Sequence, residues 1–263
     1  MRSATPAILV LAGRRSPATD PLAAAAGVTH KAMVPVGGEA MVGRVLRIAE
    51  QAFPGAPLYV SVDDPAAIAL EPTVARLTAL GKLRTMEARP NIVDSVVTAS
   101  RAAGFPLLIT TADNVLMTPH GMHDMVGLGE QGRADAIAMM AERADILAAH
   151  PDGQRRFYAF RGGAYSNCNL FWLGSDKALR ATESFRLGGQ FAKHKRRAVR
   201  ALGLTTLFLF VTRLLTLEGM FRHFSRRFGV RIVPLVTSDG RLAIDVDNER
   251  TFRVAEELIA RDG

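Results

Sequence analysis

The first half of the sequence alternates short apolar runs with amphipathic segments, and this alternation limits the possible folds more than any other feature. Four runs are rich in aliphatic residues: AILVLA (7–12), PLYVSV (57–62), PLLITTAD (106–113) and ADAIAMMAE (134–142). Runs of this length and composition are typical of strands that are buried on both faces. We therefore expect four core strands in residues 1–142.

The segments between these runs have helical periodicity. AMVGRVLRIAEQAF spaces Met41, Val45, Ile48 and Ala52 along one face of a helix. DSVVTASRAAG predicts a second helix that begins at Asp94 or Ser95 and ends at Gly104. Strands that alternate with helices predict an α/β fold, with a mostly parallel sheet and helices on both faces. In such sheets, ligands bind at the carboxyl ends of the strands.

The pattern changes after about residue 155. RRFYAFRGGAYSNCNLFWLG (155–174) predicts two strands joined at the glycine pair 162–163. A helical region follows, at roughly 175–228, and then the alternation resumes with VRIVPLV (230–236), LAIDVD (242–247) and a closing helix, ERTFRVAEELIARD (249–262). We interpret residues 1–263 as a single domain with an inserted basic helical region.

The positive charge is concentrated in this insert. The chain carries a net charge of +8, whereas residues 180–231 alone hold twelve Lys and Arg against two acidic residues, a balance of 12 − 2 = +10. Such a surface suits a phosphate-rich substrate, nucleic acid or anionic lipid. We do not expect nucleic-acid binding, because basic and aromatic residues are not interleaved for base stacking.

An apolar segment, 202–217, lies inside the basic region. It is shorter than the roughly 20 uninterrupted apolar residues of a spanning helix, and Arg213 interrupts it. Packing in the core is the first interpretation, and contact with the surface of an anionic membrane is the alternative. The single cysteine, Cys168, excludes an internal disulfide, and the N-terminus lacks the pattern of a signal peptide. We expect a cytoplasmic protein, with peripheral attachment to the inner face of the membrane as the alternative.

The loop after the first predicted strand has an unusual set of polar residues. LAGRRSPATDPLAAAAGVTHKAMVPVGG (11–38) matches neither the dinucleotide fingerprint nor the Walker phosphate loop. Gly13 allows the backbone to approach a ligand closely, and Arg14 and Arg15 stand beside it as cations. Lys31 follows just before the first helix. The loop is suited to binding an anion.

The motif LAG…HKAMVPVGGEAMVGRVL resembles the signature of the GT-A-type nucleotidyltransferases, which include molybdenum-cofactor guanylyltransferase and the sugar-phosphate and polyol-phosphate cytidylyltransferases. The matching residues are Leu11, Ala12, Gly13, Lys31, Gly38 and Met41. Arg14 and Ser16 stand where the family usually has glycine, and Ala40 replaces a proline. The resemblance implies a Rossmann-like sheet, a nucleotide bound at Leu11, Ala12 and Gly13, and a phosphate cradle in which arginine replaces backbone donors.

The same resemblance implies a Mg²⁺ site. TTADN ends a strand with Asp113, where these enzymes usually hold the metal, and LAIDVDNERTF resembles their late acidic element. Asp247 is the preferred second ligand, with Asp245 close behind. Magnesium prefers one or two carboxylates together with substrate phosphates and water. The competing interpretation is that Asp113 caps a turn and Asp247 caps the last helix.

The base-reading segment of the family resembles EARPNIVDSVVTAS. Arg89, Asn91 and Ser95 are the matching residues, and they favour CTP slightly over GTP. A simple helix N-cap explains the same residues equally well.

The acceptor side of the family resembles GGAYSNCNLFWLG. The resemblance implies that Asn167 and Asn169 bind the acceptor, while a structural hydrogen-bonding role competes evenly. Lys193 and Lys195 are placed to reach an anionic acceptor, although a solvated basic face is the commoner explanation.

The implied activity is transfer of a nucleoside monophosphate from an NTP to a phosphorylated small molecule, with release of pyrophosphate. Lys31, Arg14 and Arg15 would stabilise the charge on the phosphates, and Mg²⁺ would be the cofactor. Two alternatives stay open: a glycosyltransferase of the same fold that uses a nucleotide sugar, and a non-catalytic protein that binds a membrane surface. TTADN has one aspartate where glycosyltransferases usually have two.

Overall fold

A computed structural model describes residues 5–14, 20–182 and 205–262 of the protein. Within these ranges the strands are β1 (Ala7–Leu11), β2 (Pro35–Val36), β3 (Glu39–Ala40), β4 (Leu58–Val62), β5 (Leu83–Glu87), β6 (Leu107–Thr111), β7 (Ala136–Glu142), β8 (Tyr158–Phe160), β9 (Gly163–Leu173) and β10 (Ile232–Thr237). The helices are α1 (Pro21–Ala25), α2 (Met41–Ala52), α3 (Pro72–Ala79), α4 (Ile92–Ala103), α5 (Pro119–Glu130), α6 (Arg143–Ala149), α7 (Leu179–Thr182), α8 (205–212), α9 (Leu217–Phe228) and α10 (Glu249–Asp262). The predicted core strands and the helix at Met41 are confirmed.

The central sheet has the strand order β10-β7-β9-β6-β1-β4-β5, and β8 adds to it by pairing with β9. β9 runs antiparallel to its neighbours β6 and β7, while the pairs β1–β4, β1–β6, β4–β5 and β7–β10 are parallel. The prediction of a mostly parallel sheet is confirmed. The loops after β1, β4, β5 and β6 therefore emerge at one edge of the sheet, where a ligand site is expected.

Helices cover both faces of this sheet, as predicted. Along β1, Ile8 and Val10 point into a core cluster with residues of α2, α5 and α10. Ala7 and Leu9 point to the opposite face, where they pack with Val96 of α4. Side chains alternate between the faces of a strand, so a strand that is apolar at every position must be covered twice.

The start of α4 differs from the sequence prediction. The helix begins at Ile92 rather than at Asp94 or Ser95, because the side chain of Asn91 accepts a hydrogen bond from the backbone N–H of Val93 at 2.9 Å. Asn91 is therefore the N-cap. The predicted end is confirmed: Gly104 follows the helix with φ of 76°, a conformation that favours glycine.

The segment LAIDVD does not form the predicted strand. Residues Gly240–Ala243 form a 3₁₀ turn, which opens where the carboxylate of Asp239 accepts from the backbone N–H of Arg241 at 3.1 Å. Beyond the turn, the chain does not join the sheet, and the N–H of Val246 donates to the carbonyl of Asp113. The N–H groups of Leu242 and Ile244 donate to the carbonyls of Asp239 and Arg241, so these local bonds take the place of strand pairing.

The apolar segment 202–217 is also not one helix. Within the described residues, α8 ends just before Arg213, which has φ of 54°, and α9 begins at Leu217. The expectation of core packing holds for Leu217, which is buried, but not for α8: none of its apolar residues is buried, and Phe208 and Val211 are exposed. The predicted basic segment 189–203 lies outside the described residues. In the part of the chain that the structure describes, no helix has the length and apolar character needed to cross a bilayer.

Candidate functional site

Three residues from distant parts of the sequence meet at the carboxyl edge of the sheet. The ammonium nitrogen of Lys31 lies 2.8 Å from Oδ2 of Asp113 and 3.0 Å from Oδ1 of Asp247. Lys31 opens a 3₁₀ turn before β2, Asp113 follows β6, and Asp247 precedes α10. The structure therefore brings together the lysine and the two aspartates that the sequence singled out.

The alternative in which Asp247 caps the last helix is wrong. Asp113 lies in the turn between β6 and α5, where Thr118 caps the helix: its hydroxyl accepts from the backbone N–H of Gly121 at 3.2 Å. A turn-capping role for Asp113 stays a prediction. At the start of α10, the side chain of Asn248 accepts from the N–H of Thr251 at 3.3 Å. The carboxylate of Asp247 points instead to Lys31. Both aspartates are thus placed for a role in the site.

Lys31 is held in its charged form. Burial lowers the pKa of its ammonium, but the attraction of Asp113 and Asp247, together with the hydrogen bonds to them, raises the pKa by more, and the net direction is upward. At neutral pH the lysine is therefore a fixed cation between two carboxylates.

Asp245 has a different environment from Asp247. Its Oδ2 accepts a hydrogen bond from the side-chain amide of Asn169 at 2.6 Å, while its Oδ1 is buried without a hydrogen-bond partner among the described residues. Burial, followed by repulsion from Asp113 and Asp247, raises the pKa of Asp245 well above its usual range. Asp245 therefore orients an amide rather than pairing with Lys31.

Asn167 and Asn169 form a short amide chain on β9. The side chain of Asn167 accepts from the backbone N–H of Asn169 at 3.1 Å and donates to its Oδ1 at 3.2 Å. Asn169 has φ of 48°, which is unusual outside glycine. The bond from Asn169 to Asp245 fixes the far end of this pair of amides. Both asparagines therefore lie at the edge of the site. They also make the structural hydrogen bonds that the alternative interpretation predicted.

The two strand-end segments are also joined through their backbones. The N–H of Val246 donates to the carbonyl of Asp113 at 3.0 Å. Behind them, the buried amide of Asn114 donates to the hydroxyl of Thr110 at 3.1 Å and to the carbonyl of Cys168 at 2.9 Å. Cys168 is fully buried, as expected of a small apolar residue. These bonds connect the end of β6 to β9 and to the segment before α10.

The residues fit a magnesium ion by the chemistry of their donors. Asp113 and Asp247 already lie on either side of one cationic group, the ammonium of Lys31. Mg²⁺ is usually coordinated by one or two protein carboxylates, while phosphate oxygens and water complete its coordination shell. Within the described ranges, no group of three or more His, Cys, Asp or Glu side chains is arranged to hold a metal unaided. The arrangement suits a metal that arrives with a phosphate ligand.

The loop after β1 has contacts that the sequence did not predict. The backbone N–H and the Nε of Arg14 both donate to Oδ2 of Asp63, at 2.7 and 3.1 Å. A Cβ at Gly13 would lie 2.9 Å from the Cβ of Ala88, so only glycine fits without a shift. Arg15 lies outside the described residues. Arg14 thus stands at the edge with Asp63 as its partner, a residue that sequence reasoning missed although it directly follows the strand PLYVSV.

The backbone of Leu11 and Ala12 belongs to the sheet. The carbonyl of Leu11 accepts from the N–H of Ala112 at 2.9 Å, and the N–H of Ala12 donates to the carbonyl of Ser61 at 2.8 Å. These two backbone groups are therefore already paired within the sheet.

The residues matched to base reading hold the start of α4. The hydroxyl of Ser95 accepts from the backbone N–H of Arg89 at 2.8 Å, and Asn91 is the N-cap described above. The capping alternative is confirmed for Asn91, while a role toward a base stays a prediction. Lys193 and Lys195, matched to the acceptor, lie outside the described residues.

Comparison with known proteins places the fold. A scan against protein-family models finds no match, and a search of curated proteins finds none either. Among solved structures, a hypothetical transferase from Thermus thermophilus is 22% identical with a TM-score of 0.75, over 95% of this chain and 100% of that chain. At this identity the likeness establishes a shared fold.

Two further solved structures are named as nucleotide-transferring enzymes. A CMP:2-keto-3-deoxy-manno-octonic acid synthetase, complexed with CTP, is 13% identical with a TM-score of 0.61, over 99% of this chain and 100% of that chain. A 2-C-methyl-D-erythritol 4-phosphate cytidylyltransferase from Thermus thermophilus is also 13% identical, with a TM-score of 0.54, over 98% of this chain and 100% of that chain. The chain therefore has the Rossmann-like fold found in nucleotidyltransferases.

Proposed function

We propose that the protein is a Mg²⁺-dependent nucleotidyltransferase that moves a nucleoside monophosphate from an NTP to a phosphorylated small molecule. The observation that carries this proposal is the convergence of Lys31, Asp113 and Asp247 within 3.0 Å contacts at the carboxyl edge of the sheet. One cation and two carboxylates at this edge match what a metal–triphosphate ligand requires: charge neutralisation and two oxygen ligands. The shared fold with nucleotide-transferring enzymes supports the same activity.

In this proposal an oxygen of the acceptor phosphate attacks the α-phosphorus of the NTP, and the bond from that phosphorus to the bridging oxygen breaks. Pyrophosphate leaves with the electron pair of that bond. The acceptor phosphate is already an anion at neutral pH, so the chain does not need to supply a general base. The protein contributes position and charge rather than covalent chemistry.

Each site residue has a distinct part in this reaction. Lys31, which its two carboxylate partners keep protonated, neutralises phosphate charge as it develops on the leaving group. Arg14 offers its remaining guanidinium donors to the phosphates from the loop after β1. Asp113 and Asp247 would hold Mg²⁺, which supplies Lewis-acid stabilisation of phosphate oxygens when it is bound.

The acceptor side is assigned to the amide chain of β9. Asn167 and Asn169 lie beside Asp245 and are fixed by hydrogen bonds, so their amide groups are pre-positioned for hydroxyl or phosphate groups. We favour CTP over GTP as the donor because of the resemblance of the segment that contains Arg89 and Ser95 to cytidylyltransferases. This preference rests on the sequence alone.

The deciding experiment measures pyrophosphate release by the purified protein with each of the four NTPs, Mg²⁺ and a panel of sugar and polyol phosphates. We expect release with CTP, and loss of release in D113N and D247N. The matched control is D124N, at an exposed aspartate on α5 that pairs with His120. It should keep full activity.

Two results would contradict the proposal. The first is full activity in D113N, which would remove the metal assignment. The second is transfer from nucleotide sugars together with no pyrophosphate from any NTP, which would favour a glycosyltransferase of the same fold.

A further inference from the structure

Helix α8 and the turn after it hold three large apolar side chains in solvent. Phe208 is 60% exposed, Val211 71% and Leu214 52%. We call these three residues the apolar face. Phe208 and Val211 are three positions apart and so lie on the same side of the helix. Large apolar side chains that are exposed close together are typical of an interaction surface.

The opposite side of α8 is anchored to the protein. The ring of Phe210 lies 5.9 Å from that of Tyr158 and 5.6 Å from that of Phe160, both on β8. The hydroxyl of Thr206 lies 2.8 Å from Nε2 of His223 on α9. Because α8 is held from behind by these contacts, the apolar face points away from the sheet.

The surroundings of the apolar face are cationic. From residue 205 to residue 231 the sequence has five arginines and one acidic residue, Glu218. Arg213 directly precedes Leu214, and Arg222 and Arg226 are exposed on α9. Burial, followed by the charges of Arg227 and Arg226, lowers the pKa of His223, the residue that contacts α8. The positive charge of α9 therefore reaches the anchored side of α8, and Arg213 places a cation directly before Leu214.

We propose that the apolar face binds the surface of an anionic bilayer, with its side chains at the headgroup boundary and the neighbouring arginines at lipid phosphates. Apolar residues bordered by arginine are the composition of interfacial membrane-binding helices. Charge also favours a bilayer over a second copy of the protein as the binding partner. In a dimer formed through this face, two cationic regions would meet, and like-charge repulsion disfavours that contact. This surface goes beyond the proposed function and does not depend on it.

The apolar face lies on the acceptor side of the fold. Phe160, which contacts α8, lies 6.1 Å from the ring of Tyr165 on β9. Tyr165 shares its side of β9 with Asn167, because side chains alternate over this regular part of the strand. The side chain of Asn167 in turn bonds to that of Asn169 in the irregular part that follows. Binding to a bilayer through this face would hold the acceptor side of the candidate site near the lipid surface.

Vesicle flotation tests the proposal with the full chain. One set of vesicles is phosphatidylcholine alone, and the other contains phosphatidylglycerol as well. We expect the protein to float with the anionic vesicles, less so at high salt, because screening weakens the arginine contribution. F208S/V211S/L214S should reduce the partition coefficient by roughly tenfold or more, since binding scales with the apolar area that is inserted.

The matched control is L70S/L80S, which removes two other exposed leucines, 93% and 59% exposed, from a different part of the surface. It should bind vesicles like the unchanged protein. A second variant, R213Q/R222Q, should weaken binding to anionic vesicles while leaving the fold unchanged, as judged by circular dichroism.

Three results would overturn the proposal. The first is that the unchanged protein does not float with anionic vesicles, and the second is that F208S/V211S/L214S and L70S/L80S lose vesicle binding equally. The third is that F208S/V211S/L214S changes the oligomeric mass, measured by light scattering, and leaves vesicle binding unchanged. The last would make the apolar face a protein interface. A nucleotide thermal-shift assay on the same variants separates this question from the proposed function, because F208S/V211S/L214S should bind NTP normally.

Discussion

The ammonium nitrogen of Lys31 lies 3.0 Å from Oδ1 of Asp247, although the two residues are 216 positions apart in the sequence. The same nitrogen is 2.8 Å from Oδ2 of Asp113. A single side chain from the first quarter of the chain thus balances the charge of two carboxylates that arrive from the middle and the end. Lys31 is therefore the residue that connects the two aspartates of the site.

Removing the lysine should separate metal binding from catalysis. We expect K31M to lower the rate of pyrophosphate release by about a hundredfold or more, because a cation that stabilises the transition state is lost. The same change should increase the stabilisation that Mg²⁺ alone confers in a thermal-shift assay, since two carboxylates without their ammonium attract a divalent cation more strongly.

The control for this change is K82M. Lys82 is also paired with a carboxylate, that of Glu50 at 3.0 Å, but at a different place on the protein. K82M should alter neither pyrophosphate release nor the response to Mg²⁺. If Mg²⁺ stabilises K31M no more than the unchanged protein, the two aspartates are not the metal ligands.

Two substitutions of Asn169 separate the effect of its backbone strain from the role of its side-chain amide. At φ of 48° an alanine costs roughly 1–2 kcal/mol that glycine avoids, so N169A should be less stable than N169G by about that amount. Both variants lose the amide. Under the proposed function both should raise the KM for the acceptor to a similar extent and leave the KM for the NTP unchanged. Equal stability of the two variants in urea unfolding would show that the left-handed backbone is not a constraint.

Two glycines on α5 give opposite predictions for the same substitution. A Cβ at Gly129 would overlap the indole of Trp172 on β9, whereas a Cβ at Gly127 would meet nothing within 4 Å. G129A should therefore destabilise the protein by about 1–3 kcal/mol through overpacking. G127A should stabilise it by about 0.5–1 kcal/mol, because alanine favours the helix. Chemical denaturation of both variants checks the pair, and a neutral G129A would contradict the packing of α5 on β9.

The ion pairs of Glu50 predict a pH-dependent contribution to stability. Hydrogen bonds from Arg76, and then from Lys82, lower the pKa of Glu50 from 4.5 to about 2, against the opposing effect of burial. A carboxylate whose pKa is lowered on folding stabilises the folded state at pH values above the pKa that it has in the unfolded chain. This stabilisation is lost as the pH falls from 4.5 toward 2. The partners are 48% and 38% exposed, so solvent screening limits the effect to about 1 kcal/mol or less.

We therefore expect E50Q to lower the free energy of unfolding at pH 7, and the difference from the unchanged protein to shrink as the pH falls below 4.5. Urea unfolding at a series of pH values measures this difference. E87Q, at an exposed residue of the edge strand β5, should have little effect throughout. A difference for E50Q that persists unchanged at low pH would show that the side chain stabilises the fold by packing and not by charge.

The fold could be predicted from the sequence because it depends on local patterns. A strand that is apolar at every position, such as AILVL, identifies itself as buried on both faces, and the helix periodicity around Met41 is equally local. Lys31, Asp113 and Asp247 were singled out by the resemblance to the nucleotidyltransferase signature, and the structure brings their side chains together. Two predictions were wrong because local hydrogen bonds prevailed. Asn91 caps α4 earlier than expected, and the bonds of the 3₁₀ turn at Gly240–Ala243 replace the strand predicted at LAIDVD.

The tertiary structure decided which polar groups became partners. Asp245 and Asp247 are two residues apart and look interchangeable in the sequence, yet one holds the amide of Asn169 and the other faces Lys31. Asp63 became the partner of Arg14 only because β4 lies beside β1. Periodicity and capping act over a few residues and can be read from the order of the chain. A hydrogen bond or an ion pair between distant segments depends on distances of a few ångströms, and only the packed sheet sets those.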